Sequence, residues 1–162
     1  MSLSTGDRLP DATLLRMGAE GPESVKLSDL TAGRTVVLFG LPGAYTGTCT
    51  TSHVPSFIRV MDDLKAKGVD EVICVAVNDP FVMDAWGKAT GATEAGIHML
   101  ADPAAEFTKA MGMNFTAPPV GFYDRSKRYA LVARDGEITV LNLDENPGTC
   151  DLSAGEAIRD AL

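Results

Sequence analysis

Two continuous apolar segments dominate the hydrophobic pattern of the chain, TVVLFG at residues 35–40 and VICVAV at residues 72–77. Both are rich in β-branched side chains and neither alternates with polar positions, which is typical of strands buried on both faces of a sheet. Shorter apolar segments at residues 12–15 and 98–100 predict two further strands, and a glycine-rich turn at residues 18–24 follows the first of them.

Helical periodicity follows the first long strand. Across residues 49–67, apolar side chains recur three or four positions apart between Val54 and Leu64, and Gly68 stands where the helix is expected to end. Further helices are predicted at residues 80–86 after an Asn-Asp-Pro turn, at residues 102–111 after Asp-Pro, and after Ser153, which would form a capping box with Glu156.

An antiparallel hairpin is predicted near the C-terminus, where residues 129–133 and 137–143 flank Asp135-Gly136, a pair that accepts the positive φ of a tight turn. Strands and helices alternate before it, so the two long apolar strands are expected to pair in parallel. This order predicts an α/β fold with a mixed central sheet flanked by helices. The thioredoxin-like fold matches it, although pattern alone leaves other α/β sheets open. No repeat or linker divides the chain, so residues 1–162 are predicted to form a single domain.

Composition and charge narrow the classes of partner. Hydrophobic residues make up 45% and charged residues 22% of the 162 residues, and the formal net charge is -8. An acidic chain repels phosphate backbones and anionic lipids, so neither nucleic acid nor a membrane is expected as a partner. No segment approaches the roughly 20 apolar residues of a membrane helix. Residues 1–7 show neither the basic start nor the apolar run of a secretory signal, and the expected compartment is therefore the cytoplasm.

The chain has three cysteines, Cys49, Cys74 and Cys150. An odd number argues against a disulfide framework. There is no C-x-x-C pair and there are only two histidines, so the spacing of a Cys/His zinc site is absent as well. Cys74 lies inside the apolar segment 72–77 and is expected to be a packing residue.

Cys49 lies where the loop at residues 42–48 enters the helix. Loops at the carboxyl ends of strands carry the sites of open α/β sheets, and the N–H groups of a first helical turn favour a thiolate. Lowering the pKa of a thiol from about 8.5 to about 6 needs roughly 3.4 kcal/mol, whereas a helix start supplies about 0.3–1 kcal/mol. A cation is therefore expected beside the sulfur, and arginine suits this role because it stays charged. Spacing does not say which arginine it is, and the candidates are Arg34, Arg59, Arg125, Arg128 and Arg134.

The segment PGAYTGTC at residues 42–49 resembles the active-site motif P-x-x-x-T-x-x-C of the peroxiredoxins. The segments TTSHVPSF, VNDPFVMDAWGK and RSKRYALV, at residues 50–57, 77–88 and 125–132, are similar to the type II (class V, atypical) branch of that family, and so is GDRLP near the start. The resemblance covers essentially the whole chain. It implies a thioredoxin-like thiol peroxidase that reduces hydrogen peroxide and small organic hydroperoxides.

The resemblance also implies roles for four residues. Cys49 matches the peroxidatic cysteine that becomes a sulfenic acid, and Thr46 matches the threonine that orients the peroxide and the thiolate. Pro42 matches the proline that shields the pocket from water, and Arg128 matches the arginine that holds the thiolate and polarises the peroxide. The family requires no metal, haem or flavin. The implied partners are glutathione with glutaredoxin, or thioredoxin, as the reductant, and a second copy of the chain in a homodimer.

The role of Cys150 has two alternatives. Some type II members carry a resolving cysteine near this position, which would form a disulfide with Cys49, whereas many bacterial and plant relatives depend on an external thiol. Phe81 and Trp86 are either core residues or part of a dimer surface, and the family's habit of forming dimers near these loops favours the surface.

Two other functions are compatible with a reactive Cys49. The same site would serve a thioredoxin-like redox sensor or adaptor that is oxidised and relays the change to a partner. His53, one helical turn after Cys49, would act as the base of a Cys-His hydrolase. Pro55 disturbs the helix nearby and the local sequence shows no acid to orient the histidine, so packing or hydrogen bonding is the expected role of His53.

Overall fold

The computed structural model describes residues 3–162, so Met1 and Ser2, the first residues of the predicted domain and of the N-terminal segment, lie outside the described residues. The strands are β1 (Thr13–Gly18), β2 (Gly21–Lys26), β3 (Thr35–Gly40), β4 (Glu71–Ala76), β5 (His98–Ala101), β6 (Asn114–Ala117), β7 (Phe122–Ser126), β8 (Arg128–Arg134) and β9 (Glu137–Asp144). The helices are α1 (Leu27–Thr31), α2 (Val54–Ala66), α3 (Pro80–Thr90), α4 (Ala92–Ala95), α5 (Glu106–Ala110) and α6 (Gly155–Ala161), with a π-helical turn at Cys49–His53 and a 3₁₀ turn at Pro118–Val120.

A seven-stranded mixed sheet, in the order β2-β1-β5-β4-β3-β8-β9, forms the centre of the molecule. Strand β3 pairs in parallel with β4 and antiparallel with β8, and β4 pairs in parallel with β5. The hairpin between β8 and β9 turns at Asp135 and Gly136, whose φ angles are 49° and 80°. The predicted mixed sheet and the predicted hairpin are both confirmed.

The two long apolar strands are buried on both faces of the sheet. Val37 and Phe39 of β3 belong to one apolar cluster, and Val36 and Leu38 belong to a second cluster on the opposite face. Helices α2, α3 and α6 cover the first face, and α1 and α5 cover the second. A strand with a helix layer on each side needs apolar side chains at every position, which explains the unbroken apolar segments.

Trp86 is a core residue. Its side chain is fully buried in the first cluster, and Nε1 donates a hydrogen bond to Thr50 Oγ1 over 3.1 Å. The prediction of a surface position is therefore wrong for Trp86, because α3 turns this side chain into the first apolar cluster. Phe81, at the start of α3, is 60% exposed.

Two strand pairs differ from the sequence-based expectation. The predicted strand at residues 12–15 is longer, and most of the predicted turn at residues 18–24 is strand β2, paired with β1 in a hairpin. Strands β6 and β7 form a separate two-stranded sheet with the 3₁₀ turn between them. These strands carry few buried side chains, so they depend on pairing rather than on an apolar pattern, and the hydrophobic pattern does not reveal them.

The capping box predicted for the last helix is wrong. Helix α6 begins at Gly155 without a side-chain cap. The Ser153 hydroxyl donates instead to the carboxylate of Asp144, and Glu156 accepts a hydrogen bond from Arg59. The buried carboxylate of Asp144 competes successfully for the serine because it accepts several further hydrogen bonds in the same turn.

The other predicted helices are present with different limits. Helix α3 begins as predicted, with Asp79 Oδ1 accepting from the N–H of Val82, and runs beyond Trp86. Helix α5 covers only the later part of residues 102–111, and the Asp102 carboxylate accepts hydrogen bonds from the N–H groups of Phe107 and Thr108. Within residues 3–162, no helix combines the length and the apolar character needed to cross a membrane.

Candidate active site

The loop after β3 turns sharply before it enters the helix. Tyr45 has a φ of 64°, in the left-handed region that side chains other than glycine seldom adopt. The Thr46 hydroxyl donates to the carbonyl of Gly43 over 2.7 Å. Because its proton is engaged there, the Thr46 oxygen offers lone pairs to a hydrogen-bond donor in the adjoining pocket.

Cys49 begins the π-helical turn that continues into α2. The N–H of Val54 donates to the Cys49 carbonyl, which is the wider spacing of a π turn. Pro55 explains this spacing, because it has no N–H to return to the preceding turn and its ring excludes the carbonyl there. The predicted helix at residues 49–67 is therefore widened at its start, and Cys49 remains at the N-terminal end.

Arg128, at the start of β8, places its guanidinium on the sulfur of Cys49. Nη2 donates to Sγ over 3.2 Å, although 79 positions separate the two residues. Nε and Nη2 also donate to the carbonyl of Pro147, over 3.1 Å and 2.9 Å. Both side chains are almost fully buried, and screening by water is weak there, so a thiolate and a guanidinium attract each other strongly.

His53 is neutral and holds the far side of the same guanidinium. Its Nδ1 accepts from Arg128 Nη1 over 2.9 Å, and its Nε2 donates to the Ser153 carbonyl over 3.1 Å. Burial, followed by the charge of Arg128, lowers the pKa of His53 from 6.5 to about 3. The lone pair of Nδ1 is thus engaged by Arg128, and His53 is not available as the base for Cys49 that a Cys-His hydrolase needs.

The other four candidate arginines do not contact the sulfur. Arg125 lies closest to the loop, where Nη1 donates to the carbonyl of Pro42 over 3.0 Å. The remaining three make contacts outside the site, Arg34 with Glu71, Arg59 with Glu156 and Arg134 with Thr35.

An open pocket of about 400 Å³ lies beside Cys49. Thr46 and Arg128 are among its polar lining residues, and Arg128 contacts the fully buried side chain of Cys49. Most of the rest is apolar. The pocket is lined by Pro42, Thr46, Gly47, Thr48, Phe115, Ala117, Val120, Phe122, Arg128, Asn146, Pro147 and Gly148.

Cys74 is a core residue on β4. Burial, followed by the charge of Cys49, raises the pKa of its thiol well above the ordinary value, so it stays protonated. This agrees with the packing role expected from its apolar segment. Among residues 3–162, no three His, Cys, Asp or Glu side chains are grouped as a metal ion would require.

Cys150 lies in a loop that touches the site through two carbonyls. The Pro147 carbonyl accepts from Arg128, and the Gly148 carbonyl accepts from the Thr48 hydroxyl over 2.9 Å. Beyond Cys150, the Asp144 carboxylate accepts hydrogen bonds from three successive N–H groups. Cys150 is partly buried and has a free thiol, and burial raises its pKa to about 11.

A sheet of this topology, with a buried cysteine under an arginine at the start of a helix, defines a thiol-dependent redox enzyme of thioredoxin-like fold. The sequence profile of the Redoxin family matches residues 4–158. Peroxiredoxin-2E-2, chloroplastic, from Oryza sativa subsp. japonica is 45% identical over 162 residues, which cover 98% of this chain and 72% of that protein. Reduced Prx3 from Vibrio vulnificus, in a crystal structure with H2O2, has a TM-score of 0.91 and 43% identity, and the match covers 98% of each chain. The chain belongs to the Redoxin family, in its type II peroxiredoxin branch, and is a thiol peroxidase.

The prediction of a cytoplasmic location is wrong as an inference from the first residues. The rice relative is named as chloroplastic. Peroxiredoxin-2F from Arabidopsis thaliana is named as mitochondrial, and it is 41% identical over 132 residues, which cover 82% of this chain and 65% of that protein. Relatives of similar sequence are thus named for different compartments. The compartment depends on targeting segments that import receptors recognise, and not on the folded active site.

Proposed function

We propose that Cys49 is the peroxidatic residue of this thiol peroxidase, with hydrogen peroxide and small organic hydroperoxides as substrates. The 3.2 Å contact between Arg128 Nη2 and Cys49 Sγ, at the start of a helix, carries this proposal. A guanidinium and the N–H groups of a first helical turn both favour the negative sulfur that attacks a peroxide.

The reaction is a displacement at oxygen. The Cys49 thiolate attacks one peroxide oxygen, so that an S–O bond forms and the O–O bond breaks. The electron pair of the broken bond leaves with the other oxygen, which takes up a proton and departs as water or an alcohol. Cys49 is then a sulfenic acid. A first reductant thiol converts it to a mixed disulfide and releases water, and a second thiol restores Cys49 and leaves as the disulfide of the reductant.

Three residues assist the attack in this proposal. Thr46, whose proton is engaged by a backbone carbonyl, accepts the peroxide hydrogen and so orients the peroxide. Arg128 donates to the sulfur and reaches the pocket, where its charge stabilises the negative charge that develops on the leaving oxygen. Pro42, which is buried, lines the pocket and keeps water from the sulfur.

The apolar wall of the pocket supports the inclusion of organic hydroperoxides. Phe115, Val120 and Phe122, which lie on the small sheet and its connecting turn, line the pocket together with Thr46 and Arg128. An alkyl group that leaves water for this wall gains roughly 25 cal/mol for each Å² buried. A volume of about 400 Å³ is large enough for a short alkyl or aryl tail.

The reductant and the assembly belong to the same proposal. Glutathione with glutaredoxin, or thioredoxin, supplies the two thiols, and the chain forms a homodimer. The exposed aromatic side chains Tyr45, Phe81 and Tyr123, each more than half exposed, support an association between copies of the chain. Peroxidase assays run in parallel with glutathione plus glutaredoxin and with thioredoxin test the reductant, and light scattering coupled to gel filtration tests the dimer.

We also propose that residues 1–162 act as one domain. The N–H groups of Gly6 and Leu9 donate to the carbonyls of Ile138 and Gly136, so the described N-terminal residues lie against the C-terminal hairpin. A single cooperative unfolding transition, seen alike by tryptophan fluorescence and by circular dichroism, is the expected result, and two separate transitions would contradict it.

Replacing the sulfur tests the central claim. The Cys49→Ser variant is expected to lose peroxide consumption with dithiothreitol as the reductant, because a serine hydroxyl is not ionised at neutral pH. The matched control is Cys74→Ala, which removes a cysteine outside the pocket and is expected to keep its turnover. Peroxide turnover retained by Cys49→Ser would refute the assignment.

A further inference from the structure

Arg125 is a second guanidinium beside the pocket, and within residues 3–162 no carboxylate pairs with it. It lies on β7, half-buried, and Nη1 donates to the carbonyl of Pro42 over 3.0 Å. The guanidinium carbon is 5.1 Å from the centre of the Phe122 ring, which is the stacked arrangement of a cation on an aromatic face. Because Pro42 and Phe122 both line the pocket, Arg125 connects its apolar wall to the loop that carries Thr46.

This loop needs support from outside. Tyr45 is held in the left-handed region, and such a conformation persists only where the surroundings determine it. Two contacts from other elements hold the loop just before Tyr45. Arg125 holds the carbonyl of Pro42, and Asn78 Oδ1 accepts from the N–H of Ala44 over 2.9 Å.

The guanidinium also packs closely on the backbone between these two contacts. A Cβ added to Gly43 would lie 2.4 Å from Arg125 Nη1, so a side chain at this position would displace the guanidinium. The carbonyl of Gly43 accepts the Thr46 hydroxyl, so a shift of Gly43 moves the Thr46 oxygen with it. The position of Arg125 is thereby transmitted to Thr46.

We propose that Arg125 is a positioning residue for the peroxide, which fixes Pro42 and Thr46 relative to the sulfur of Cys49. The inference rests on the proposed roles of Pro42 and Thr46 in binding the peroxide. Arg125 donates to a neutral carbonyl and Arg128 donates to the sulfur. The two arginines therefore act on different parts of the site, Arg125 on the loop and Arg128 on the sulfur. Loss of Arg125 impairs the alignment of the peroxide, while the sulfur keeps its cation.

Two reactions of Cys49 distinguish the alignment of the peroxide from the intrinsic reactivity of the sulfur. The rate of Cys49 with hydrogen peroxide depends on Thr46 and the pocket, whereas alkylation by iodoacetamide depends on the ionised sulfur and needs no peroxide site. In Arg125→Met and Arg125→Gln, we expect the rate constant with peroxide to fall about tenfold or more, since small misplacements of reacting groups have large effects. The alkylation rate and its pH dependence are expected to match the wild type. Arg125→Lys, which keeps one donor, is expected to recover part of the peroxide rate.

Arg134→Met is the matched control, because it removes an arginine that donates a hydrogen bond to Thr35 at the far end of β8. It is expected to leave both rates unchanged. An unchanged peroxide rate in Arg125→Met would overturn the proposal, and so would an equal fall of the peroxide and alkylation rates, which would indicate a general structural role. Peroxide turnover in Cys49→Ser would instead overturn the proposed function itself, so the two failures are distinguishable.

The close packing of Arg125 on Gly43 is tested by comparing Gly43→Ala in two backgrounds, the wild type and Arg125→Ala. Gly43→Ala alone is expected to lower the peroxide rate by displacing Arg125, and to leave the alkylation rate unchanged. In an Arg125→Ala background, where the space is empty, Gly43→Ala is expected to add little. An equal effect of Gly43→Ala in both backgrounds would show that the guanidinium does not transmit the change.

Discussion

Arg128 and His53 form a buried hydrogen bond in which the histidine is the acceptor, with Nη1 donating to Nδ1 over 2.9 Å. A protonated imidazole would face the guanidinium with a second donor and a second positive charge, so this contact requires the neutral ring. His53 therefore orients Arg128 without drawing away its charge, and Nη2 of the same guanidinium stays on the sulfur of Cys49.

The burial of His53, together with the charge of Arg128, makes stability depend on pH in a defined direction. The pKa of His53 is about 3 in the folded chain against 6.5 ordinarily, so between these values the unfolded chain binds a proton that the folded chain does not. The contribution of His53 to the free energy of unfolding is therefore fully present above about pH 6.5. It is lost as the pH falls toward 3, at up to about 1.4 kcal/mol per pH unit. Carboxylates such as Asp144, whose pKa is lowered in the folded chain, also contribute stability that is lost in acid. Comparison with the His53→Asn variant isolates the contribution of the histidine. Urea unfolding from pH 7 to pH 4 is expected to show a shallower decline for His53→Asn, and parallel curves would contradict the prediction.

Removal of the Arg128 charge is expected to slow the alkylation of Cys49. In Arg128→Gln, the rate of alkylation by iodoacetamide at neutral pH should fall, because the ionised sulfur loses its charged donor. The peroxide rate constant should fall by about 10²–10³, the typical effect of losing a donor to the developing charge. Stopped-flow fluorescence and mass-spectrometric alkylation assays measure the two quantities. An unchanged alkylation rate would remove this role from Arg128.

The Thr46 hydroxyl is expected to act as an acceptor for the peroxide. Thr46→Val keeps the shape but has no oxygen, and the peroxide rate constant should fall by about 10²-fold while the alkylation rate stays the same. Thr46→Ser keeps the oxygen and is the matched control, for which most of the peroxide rate should remain. Equal rates for the Val and Ser variants would exclude a hydrogen bond from the peroxide to this residue.

External thiols are expected to resolve the sulfenic acid more readily than Cys150 does. A thiol with a pKa of about 11 is ionised in about one molecule in ten thousand at pH 7, and the loop around Cys150 is held at both sides by Arg128 and Asp144. Cys150→Ser should therefore retain turnover with glutathione and glutaredoxin. Non-reducing mass analysis after one equivalent of peroxide should show a sulfenic acid on the wild type, and a loss of two hydrogens would instead establish a Cys49–Cys150 disulfide.

The apolar wall is expected to select among peroxides. Val120 is exposed at the pocket rim, and Val120→Asn makes this part of the wall polar. The value of kcat/KM for cumene hydroperoxide should fall about fivefold, corresponding to roughly 1 kcal/mol of lost apolar contact. The value for hydrogen peroxide, which has no tail, should be unchanged. A parallel loss for both peroxides would show that Val120 does not contact the tail.

The central strands and the place of the cysteine could be predicted because each depends on a local pattern. The apolar segments at residues 35–40 and 72–77 are strands β3 and β4, and Asp135-Gly136 forms the predicted turn. Cys49 lies between a buried strand and an amphipathic helix, and this order alone places it at the edge of the sheet where α/β proteins carry their sites.

Strands β2, β6 and β7 and the start of α6 could not be predicted in the same way. The strands have too few buried positions to show a period, and only hydrogen bonding to a neighbouring strand forms them. The spacing of Ser153 to Glu156 predicts a capping box at the start of α6, but the buried carboxylate of Asp144 competes for that hydroxyl. Such competition depends on residues that the fold brings together and that local spacing does not show.

Local sequence thus determined the central strands β3 and β4, the helical segment that follows Cys49, and the need for a positive group beside the sulfur, because each follows from neighbouring residues and the intrinsic chemistry of a thiol. Spacing left five candidate arginines and the resemblance implied Arg128, but only the tertiary structure shows which guanidinium contacts the sulfur. Arg128 reaches it from a strand 79 positions away, while Arg125, three positions before Arg128, reaches the carbonyl of Pro42 instead. The physical reason is that strand pairing sets where each guanidinium ends, and pairing joins segments whose separation in sequence carries no information about their distance in space.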